Sequence, residues 1–217
     1  MKPNKVNDAL KRLNLILPLK ENQQACSSDV NRLHQDILLS CIAKGRFLSK
    51  EEMSHYVGDV SEAIDVLSKR GLVTLNSNGD LIGAYPFSRN ERNYAVQVNE
   101  YKLYAMCALD ALAIAPMFKL ATQITSRCGL SGDVITIKMD AGKILNIDKL
   151  GHVQFGISWD AADSETCCAD SLCREMIFIC GDEAAEKWLV DATKDRQLFT
   201  LQEAVQFADK FFSPLMA

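Results

Sequence analysis

Cysteine is the residue type in this chain with the most distinctive chemistry. The 217 residues include eight cysteines but only three histidines. Thiolates are the ligands that soft metal ions prefer, whereas most zinc sites also recruit imidazole. No pair among the cysteines has the Cys-x-x-Cys spacing of a standard zinc module: they are Cys26, Cys41, Cys107, Cys128, Cys167, Cys168, Cys173 and Cys180. The inventory therefore favours chemistry at separate thiols over a zinc module.

Cys107 and Asp110 form a pair whose spacing suggests a specific chemistry. The run MCALDALAIA predicts a helix, and a separation of three residues places both side chains on one helix face. A thiol can hold a soft metal ion while a neighbouring carboxylate accepts and returns a proton. A free cysteine in an apolar helix is, however, more often a small buried hydrophobe. The spacing alone leaves both interpretations open.

Three short helices and a hairpin are predicted in the first part of the chain. The helices are placed at 29–44, from the capping box of Ser49 and Glu52 to about Tyr56, and from Ser61 to Gly71. Asn78-Gly79 then indicates a hairpin turn between two strands. This order resembles a winged helix. The third helix is acidic on its outer face and the net charge is −4, so we do not expect nucleic-acid binding.

The remaining chain predicts an α+β domain. The polar run SRNER marks a boundary, which gives a helical, winged-helix-like domain at 1–87 and a catalytic domain at 88–217. Alternating runs predict strands, and longer apolar runs predict helices. The strands are YAVQV, VITIKM, HVQFGISW and REMIFIC, and the helices are MCALDALAIA, EAAEKWLV and LQEAVQFADKFF. A mixed or antiparallel sheet with packed helices is the expected architecture.

The N-terminal sequence predicts a cytoplasmic protein. Its first apolar run, Leu15 to Leu19, is short and contains Pro18, which is unlike a signal peptide or a membrane span. We therefore expect no membrane association, and thiols that the cytosol keeps reduced.

The run Tyr104 to Asp110, YAMCALD, resembles a motif of the alkylmercury lyase (organomercurial lyase) family. Three further segments resemble the family: Gly83 to Ser88, Ser126 to Cys128, and Ser171 to Trp188. The resemblance extends over roughly 29–212. It implies a helical, winged-helix-like first domain and a mixed second domain.

The resemblance also implies a reaction and its residues. Cys107 and Cys173 would bind an organomercurial as thiolates, and Asp110 would relay a thiol proton to carbon, releasing hydrocarbon and leaving Hg(II) on sulfur. These three residues are thus the expected catalytic and metal-binding set. Mercury is substrate and product, and no organic cofactor or resident metal is expected. Cellular thiols or a mercuric reductase would accept Hg(II). Cys128 matches a family cysteine of mainly structural importance.

Several alternatives stay open at this point. Cys167 and Cys168 lie close to Cys173 and are rival candidates for the second thiol, a product-transfer pair, or inert loop thiols. Its spacing from Trp188 and the rigidity of a predicted strand favour Cys173 as the second mercury-binding thiol. Met106 stands where the family commonly has tryptophan, and it would reshape the pocket or add a thioether to it.

Two alternatives to the lyase function also remain. The first is a cysteine-based soft-metal binding or sensing protein whose winged-helix-like unit touches DNA. The second is a member of the family that has kept the fold but lost turnover. The cysteines outside the proposed site, Cys26, Cys41 and Cys180, are predicted to pack in the core.

Overall fold

The N-terminal part of the chain is helical. The computed structural model describes residues 4–163, 167–190 and 194–217. Its first helices are α1 (Lys5–Ile16), α2 (Leu19–Gln24), α3 (Ser28–Lys44), α4 (Lys50–Met53) and α5 (Val60–Lys69). The three predicted helices are confirmed as α3, α4 and α5, with α4 a single turn held by the Ser49 and Glu52 capping box. Neither α1 nor α2 was predicted.

Strands in the described residues form two sheets. The larger sheet contains β1 (Val73–Leu75), β2 (Leu81–Ala84), β3 (Phe87–Ser88), β4 (Tyr94–Val98), β5 (Tyr101–Ala105), β6 (Ala121–Arg127), β7 (Val134–Asp140) and β8 (Lys143–Ile144). Their order in space is β1-β2-β3-β5-β4-β6-β7-β8. The smaller sheet contains β9 (Val153–Ser158), β10 (Met176–Cys180) and β11 (Arg196–Thr200), in the order β10-β9-β11. Every strand pairing among the described residues is antiparallel. The sequence predicted either a mixed or an antiparallel sheet, and the second is observed.

The predicted hairpin at Asn78-Gly79 is confirmed by β1 and β2. It is not a separate wing, because β2 pairs with β3 and β3 pairs with β5, which makes the hairpin the edge of the larger sheet. The winged-helix detail is therefore not confirmed. The sheet also continues across residue 88, and the division into 1–87 and 88–217 stays a prediction.

A buried helix lies between the two sheets and the last long helix. In the described part of the chain, three α-helices follow β5: α6 (Ala108–Phe118), α7 (Asp182–Leu189) and α8 (Leu201–Phe212). Every residue of α6 from Ala108 to Met117 is buried, and this helix packs against α8, β6 and β10. Such an all-round apolar helix is stable only inside a core. Helices packed on antiparallel sheets confirm the α+β prediction.

None of the helices in the described part of the chain combines the length and the apolar character that crossing a membrane requires.

Candidate functional site

Cys107 and Asp110 meet at the start of α6. Cys107 is the N-cap residue, in extended conformation between β5 and the helix, and Asp110 lies in the first helical turn. The backbone N–H of Asp110 donates to the Cys107 sulfur at 3.4 Å, and the Cys107 thiol donates to Oδ2 of Asp110. The prediction that both residues lie within the helix is therefore wrong for Cys107. The N-cap geometry brings the two side chains together nonetheless.

Cys173 completes a three-residue cluster with them. It lies in a short 3-10 turn, Leu172–Glu175, directly before β10. The prediction of a strand position for Cys173 is thus wrong by a few residues, because the chain turns before it extends. The ligand atoms of Cys107, Asp110 and Cys173 all lie within 4.8 Å of one another, and all three residues are buried. Two sulfurs and one carboxylate oxygen at this separation suit a soft metal ion.

Other side chains that the sequence pattern did not assign to the cluster surround it. The Met176 sulfur lies 3.6 Å from the Cys107 sulfur. The Tyr94 hydroxyl donates to the carbonyl oxygen of Met176 at 3.1 Å, which fixes the start of β10. Tyr85 is buried near Cys173, and no feature of its sequence position signals this contact.

Met106 does not supply the thioether that contacts the Cys107 sulfur. Its terminal methyl group packs over Gly83 of β2, so closely that a Cβ at position 83 would lie 2.4 Å from it. The sulfur of Met176 takes the position beside Cys107 instead. The thioether beside Cys107 is thus that of Met176, which was not predicted, and the effect of Met106 on the pocket stays a prediction.

Burial raises the pKa values of all three acidic groups in the cluster. Removal from water raises the pKa of Cys107 to about 12, with the neighbouring Asp110 adding to the increase. Burial also raises the pKa of Asp110 to about 7, against the opposing effect of its hydrogen bond with Cys107. Hydrogen bonding to Cys107 and Cys168, together with burial, raises the pKa of Cys173. At neutral pH the site therefore holds two thiols beside a carboxyl group close to its midpoint.

One carboxylate oxygen of Asp110 is not engaged. Oδ2 accepts the bond from Cys107, whereas Oδ1 is buried and has no hydrogen-bond partner among the described residues. Buried polar atoms are normally paired, so an unpaired one marks a position prepared for another group. Oδ1 is available to a molecule that enters the cluster.

Cys167 and Cys168 occupy different positions relative to the cluster. The Cys168 sulfur lies 3.6 Å from the Cys173 sulfur, and its side chain is half-buried. Cys167 is exposed, and its thiol donates to Oδ2 of Asp170 at 3.3 Å. Cys173 is the member of this group that joins Cys107 and Asp110. Cys168 is the next sulfur outward.

Cys128 and Cys180 form a second pair of neighbouring thiols. The backbone N–H of Cys180 donates to the Cys128 sulfur at 3.2 Å, and that of Ser131 does so at 3.4 Å. Burial opposes ionisation of Cys128, but it is outweighed by hydrogen bonding to the Ser131 side chain and to the backbone of Ser131, Leu130 and Cys180, which lowers the pKa of Cys128 to about 7. Cys180 is half-buried rather than buried, so the prediction that it packs fully in the core is only partly correct.

The remaining two cysteines lie in the N-terminal helical part. Cys41 is buried, as predicted, and its thiol donates to the Ile37 carbonyl oxygen at 3.6 Å. Cys26 is half-buried, with its sulfur 3.5 Å from the Asn22 carbonyl oxygen. Neither is part of the cluster at the start of α6.

A larger cavity lies away from this cluster. It has a volume of about 780 Å³ and lies between α3, α4, α5 and the edge of the larger sheet. Its lining includes Phe47, Ile64 and Tyr104, but none of the three cluster residues. The groups with distinctive chemistry are therefore in the small buried cluster and not in this larger space.

Comparison with known proteins agrees with the motif at Cys107. The sequence model of the alkylmercury lyase family matches residues 87–213. Alkylmercury lyases of Bacillus cereus and Clostridium butyricum are each 26% identical over 153 residues, which is 70% of this chain and 68% of the relative. The enzyme of Pseudomonas putida is 24% identical over 152 residues, 70% of each chain.

The fold agrees as well. A crystal structure described as the mercury-bound form of MerB2 superposes with a TM-score of 0.74 at 19% sequence identity, covering 97% of this chain and 100% of that one. The likeness extends over the N-terminal helices, which the family model does not include. Since the family model matches more than half of the chain and includes the Cys107, Asp110 and Cys173 cluster, the protein belongs to the alkylmercury lyase family.

Proposed function

We propose that this protein cleaves the carbon–mercury bond of organomercurials by protonolysis, with Cys107 and Cys173 binding mercury and Asp110 relaying the proton. The observation that carries the proposal is the convergence of two thiol sulfurs and one carboxylate oxygen within 4.8 Å in a buried position. Membership of a family of carbon–mercury lyases supports the reaction type. No organic cofactor or resident metal takes part in the proposed cycle.

The two thiols bind mercury by exchanging their protons for it. Both have raised pKa values and are neutral before substrate arrives. A bound soft cation stabilises the thiolate, so the thiol loses its proton as the sulfur–mercury bond forms. Asp110 is hydrogen-bonded to Cys107, and its pKa of about 7 lets it hold a proton at neutral pH. The Cys107 proton therefore has an acceptor beside the mercury.

The atoms and electrons of the cycle balance. An organomercurial enters as R–Hg–SR′, and Cys173 displaces R′S⁻, which leaves as R′SH with the Cys173 proton. Cys107 then binds as the second thiolate, and its proton moves to Asp110. The two sulfurs donate electron density to mercury, and the carbon–mercury bond breaks with its electron pair on carbon. Asp110 returns the proton to that carbon, which gives RH and Hg(II) on two thiolates.

Burial prepares Asp110 for the last step. Because burial raises its pKa to about 7, the carboxyl group can keep the proton that it receives from Cys107 until the far more basic developing carbanion takes it. Oδ1 of Asp110 has no hydrogen-bond partner among the described residues, so it would be free to face the carbon of an organomercurial whose mercury is bound to the Cys107 sulfur. Hg(II) would then pass to cellular thiols or to a mercuric reductase.

Methane release from methylmercury tests the function. The purified protein, incubated with methylmercury and excess thiol, should produce methane that gas chromatography of the headspace detects. Cys107→Ser should reduce the rate by more than about 100-fold, because a hydroxyl is a poor ligand for a soft metal ion. Residues that only support a metal ligand already contribute up to about 100-fold to activity, so loss of the ligand itself should cost more. Cys41→Ser, which changes a buried cysteine of α3, is the matched control and should retain the rate.

Two results would contradict the proposal. The wild-type protein could release no methane while binding mercury tightly, which is the behaviour of a mercury-binding protein without turnover. Alternatively, Cys107→Ser could release methane as fast as the wild type, which would place the chemistry at other thiols.

A further inference from the structure

The cysteine sulfurs near the cluster run from the interior toward the surface. Cys107 and Cys173 are buried, Cys168 is half-buried, and Cys167 is exposed. The Cys168 sulfur lies 3.6 Å from the Cys173 sulfur, so these two thiols are in contact. Cys168 therefore connects the buried pair to the outer part of the protein.

Local contacts hold Cys168 in this position. It begins a 3-10 turn, Cys168–Asp170, that leads directly into the turn containing Cys173. The backbone N–H of Asp170 donates to the Cys167 carbonyl oxygen at 2.9 Å, and Arg174 donates to the Asp170 carboxylate at 3.1 Å. Asp170 of the first turn and Arg174 of the second form an ion pair, and these consecutive turns place the Cys168 and Cys173 sulfurs 3.6 Å apart. The proximity of these sulfurs thus follows from the fold of the segment and not from an extended, unconstrained loop.

Product release poses a problem that this arrangement can solve. Hg(II) on Cys107 and Cys173 would lie between two buried sulfurs, where a bulky carrier thiol has little access. Mercury moves between thiolates when a third sulfur binds before one of the first two leaves, so an accessible third sulfur next to the pair speeds the exchange. Cys168 is a half-buried sulfur within reach of one member of the pair.

We propose that Cys168 is the thiol that takes Hg(II) from the buried pair and presents it to the acceptor, a role that rests on the lyase function proposed above. The mercury–sulfur bond to Cys107 breaks and a mercury–sulfur bond to Cys168 forms, while the bond to Cys173 is kept. The proton of Cys168 passes to the Cys107 thiolate, which restores the thiol for the next cycle. No electrons are transferred between redox partners, and mercury remains Hg(II) throughout.

Inorganic Hg(II) tests this role without the cleavage step. The protein is loaded with one equivalent of HgCl₂ and mixed with excess glutathione, and the mercury that stays on the protein is measured at successive times after rapid gel filtration. Cys168→Ser should slow the transfer by about tenfold or more, the scale on which a group next to a metal site acts. Cys26→Ser removes another half-buried thiol, whose sulfur contacts the Asn22 carbonyl oxygen, and should transfer Hg(II) at the wild-type rate.

A second measurement uses the wild-type protein and does not depend on the folding of a variant. Alkylation by iodoacetamide, mapped by mass spectrometry, should modify Cys168 in the free protein and modify it less after one equivalent of Hg(II) is bound. Cys26 should react equally in both states. Equal transfer rates for wild type and folded Cys168→Ser, or equal alkylation of Cys168 with and without Hg(II), would overturn the proposal. Failure of the lyase function would instead appear as absence of methane from the wild type.

Discussion

Two pairs of cysteines lie at opposite ends of β10, and their sulfurs meet different neighbours. Cys173 lies just before the strand and meets Cys107, whereas Cys180 is its last residue and meets Cys128. A backbone N–H donates to one sulfur in each pair. The pairs differ in what else is present: Asp110 lies beside the first, and further N–H donors lie beside the second.

This difference decides where the protons are. Burial and the Asp110 carboxylate raise the pKa of Cys107 to about 12, so the first pair is protonated at neutral pH. At the second pair, burial is outweighed by hydrogen bonds from Ser131 and Cys180, and the pKa of Cys128 falls to about 7. In the second pair only Cys128 ionises near neutral pH, because burial and the neighbouring Cys128 raise the pKa of Cys180 to about 12. Among the described residues, no acid comparable to Asp110 forms a hydrogen bond with the Cys128 sulfur. The proposed protonolysis needs a proton donor beside the metal, and the first pair has one in Asp110.

The largest expected effect comes from removing the acid of the first pair. Asp110→Asn leaves both sulfurs in place but deprives the reaction of its proton relay, which typically contributes about 10²–10⁴-fold. Methane release at saturating methylmercury should fall by that factor, while the stoichiometry of Hg(II) binding stays at one per protein. Asp133→Asn, which changes a carboxylate near the second pair, is the matched control and should retain turnover. Equal losses of binding and turnover in Asp110→Asn would contradict the relay.

The next effect concerns stability at the second pair. Cys128→Ala removes the acceptor of two backbone N–H groups, those of Ser131 and Cys180. Leaving such donors unpaired costs about 1–3 kcal/mol, and urea unfolding should show a loss of this size. Methane release per folded molecule should be unchanged, which separates a structural cysteine from a catalytic one. A variant as stable as the wild type would show that water replaces the sulfur without cost.

Local spacing made part of the site predictable. Cys107 and Asp110 are three residues apart, and any helical turn brings such residues together. The exact placement of Cys107 was not predictable in the same way, because cysteine is not among the preferred N-cap residues and β5 was not recognised. The run YKLYA has Lys102 exposed as its second residue and gives only a weak alternating pattern.

Contacts between distant parts of the chain were not readable from spacing. Cys173 was placed with the expected site only through the family resemblance, since nothing in a single sequence shows that its turn packs beside α6. The short turn at Leu172–Glu175 replaces the predicted start of the strand, because the apolar alternation does not mark where extension begins. The catalytic roles themselves remain predictions, and so does the position of the domain boundary.

The smallest expected effect is the pH dependence of stability, which should have opposite signs at the two pairs. Cys128 has a folded-state pKa of about 7 against an ordinary 9.0, so between these values the unfolded chain binds the extra proton and stability rises with pH. Allowing for solvent screening, the free energy of unfolding of the wild type should gain about 1 kcal/mol over that of Cys128→Ser between pH 7 and pH 9.

Asp110 should act in the opposite direction. Its pKa is raised from 3.8 to about 7, so the folded protein binds the extra proton in that interval and stability falls as pH rises. Urea unfolding at several pH values, with Cys128→Ser and Asp110→Asn compared against wild type, measures both slopes. Slopes of the same sign would contradict the contrast between the proposed catalytic site, where Asp110 binds its proton more tightly on folding, and Cys128, which binds its proton less tightly.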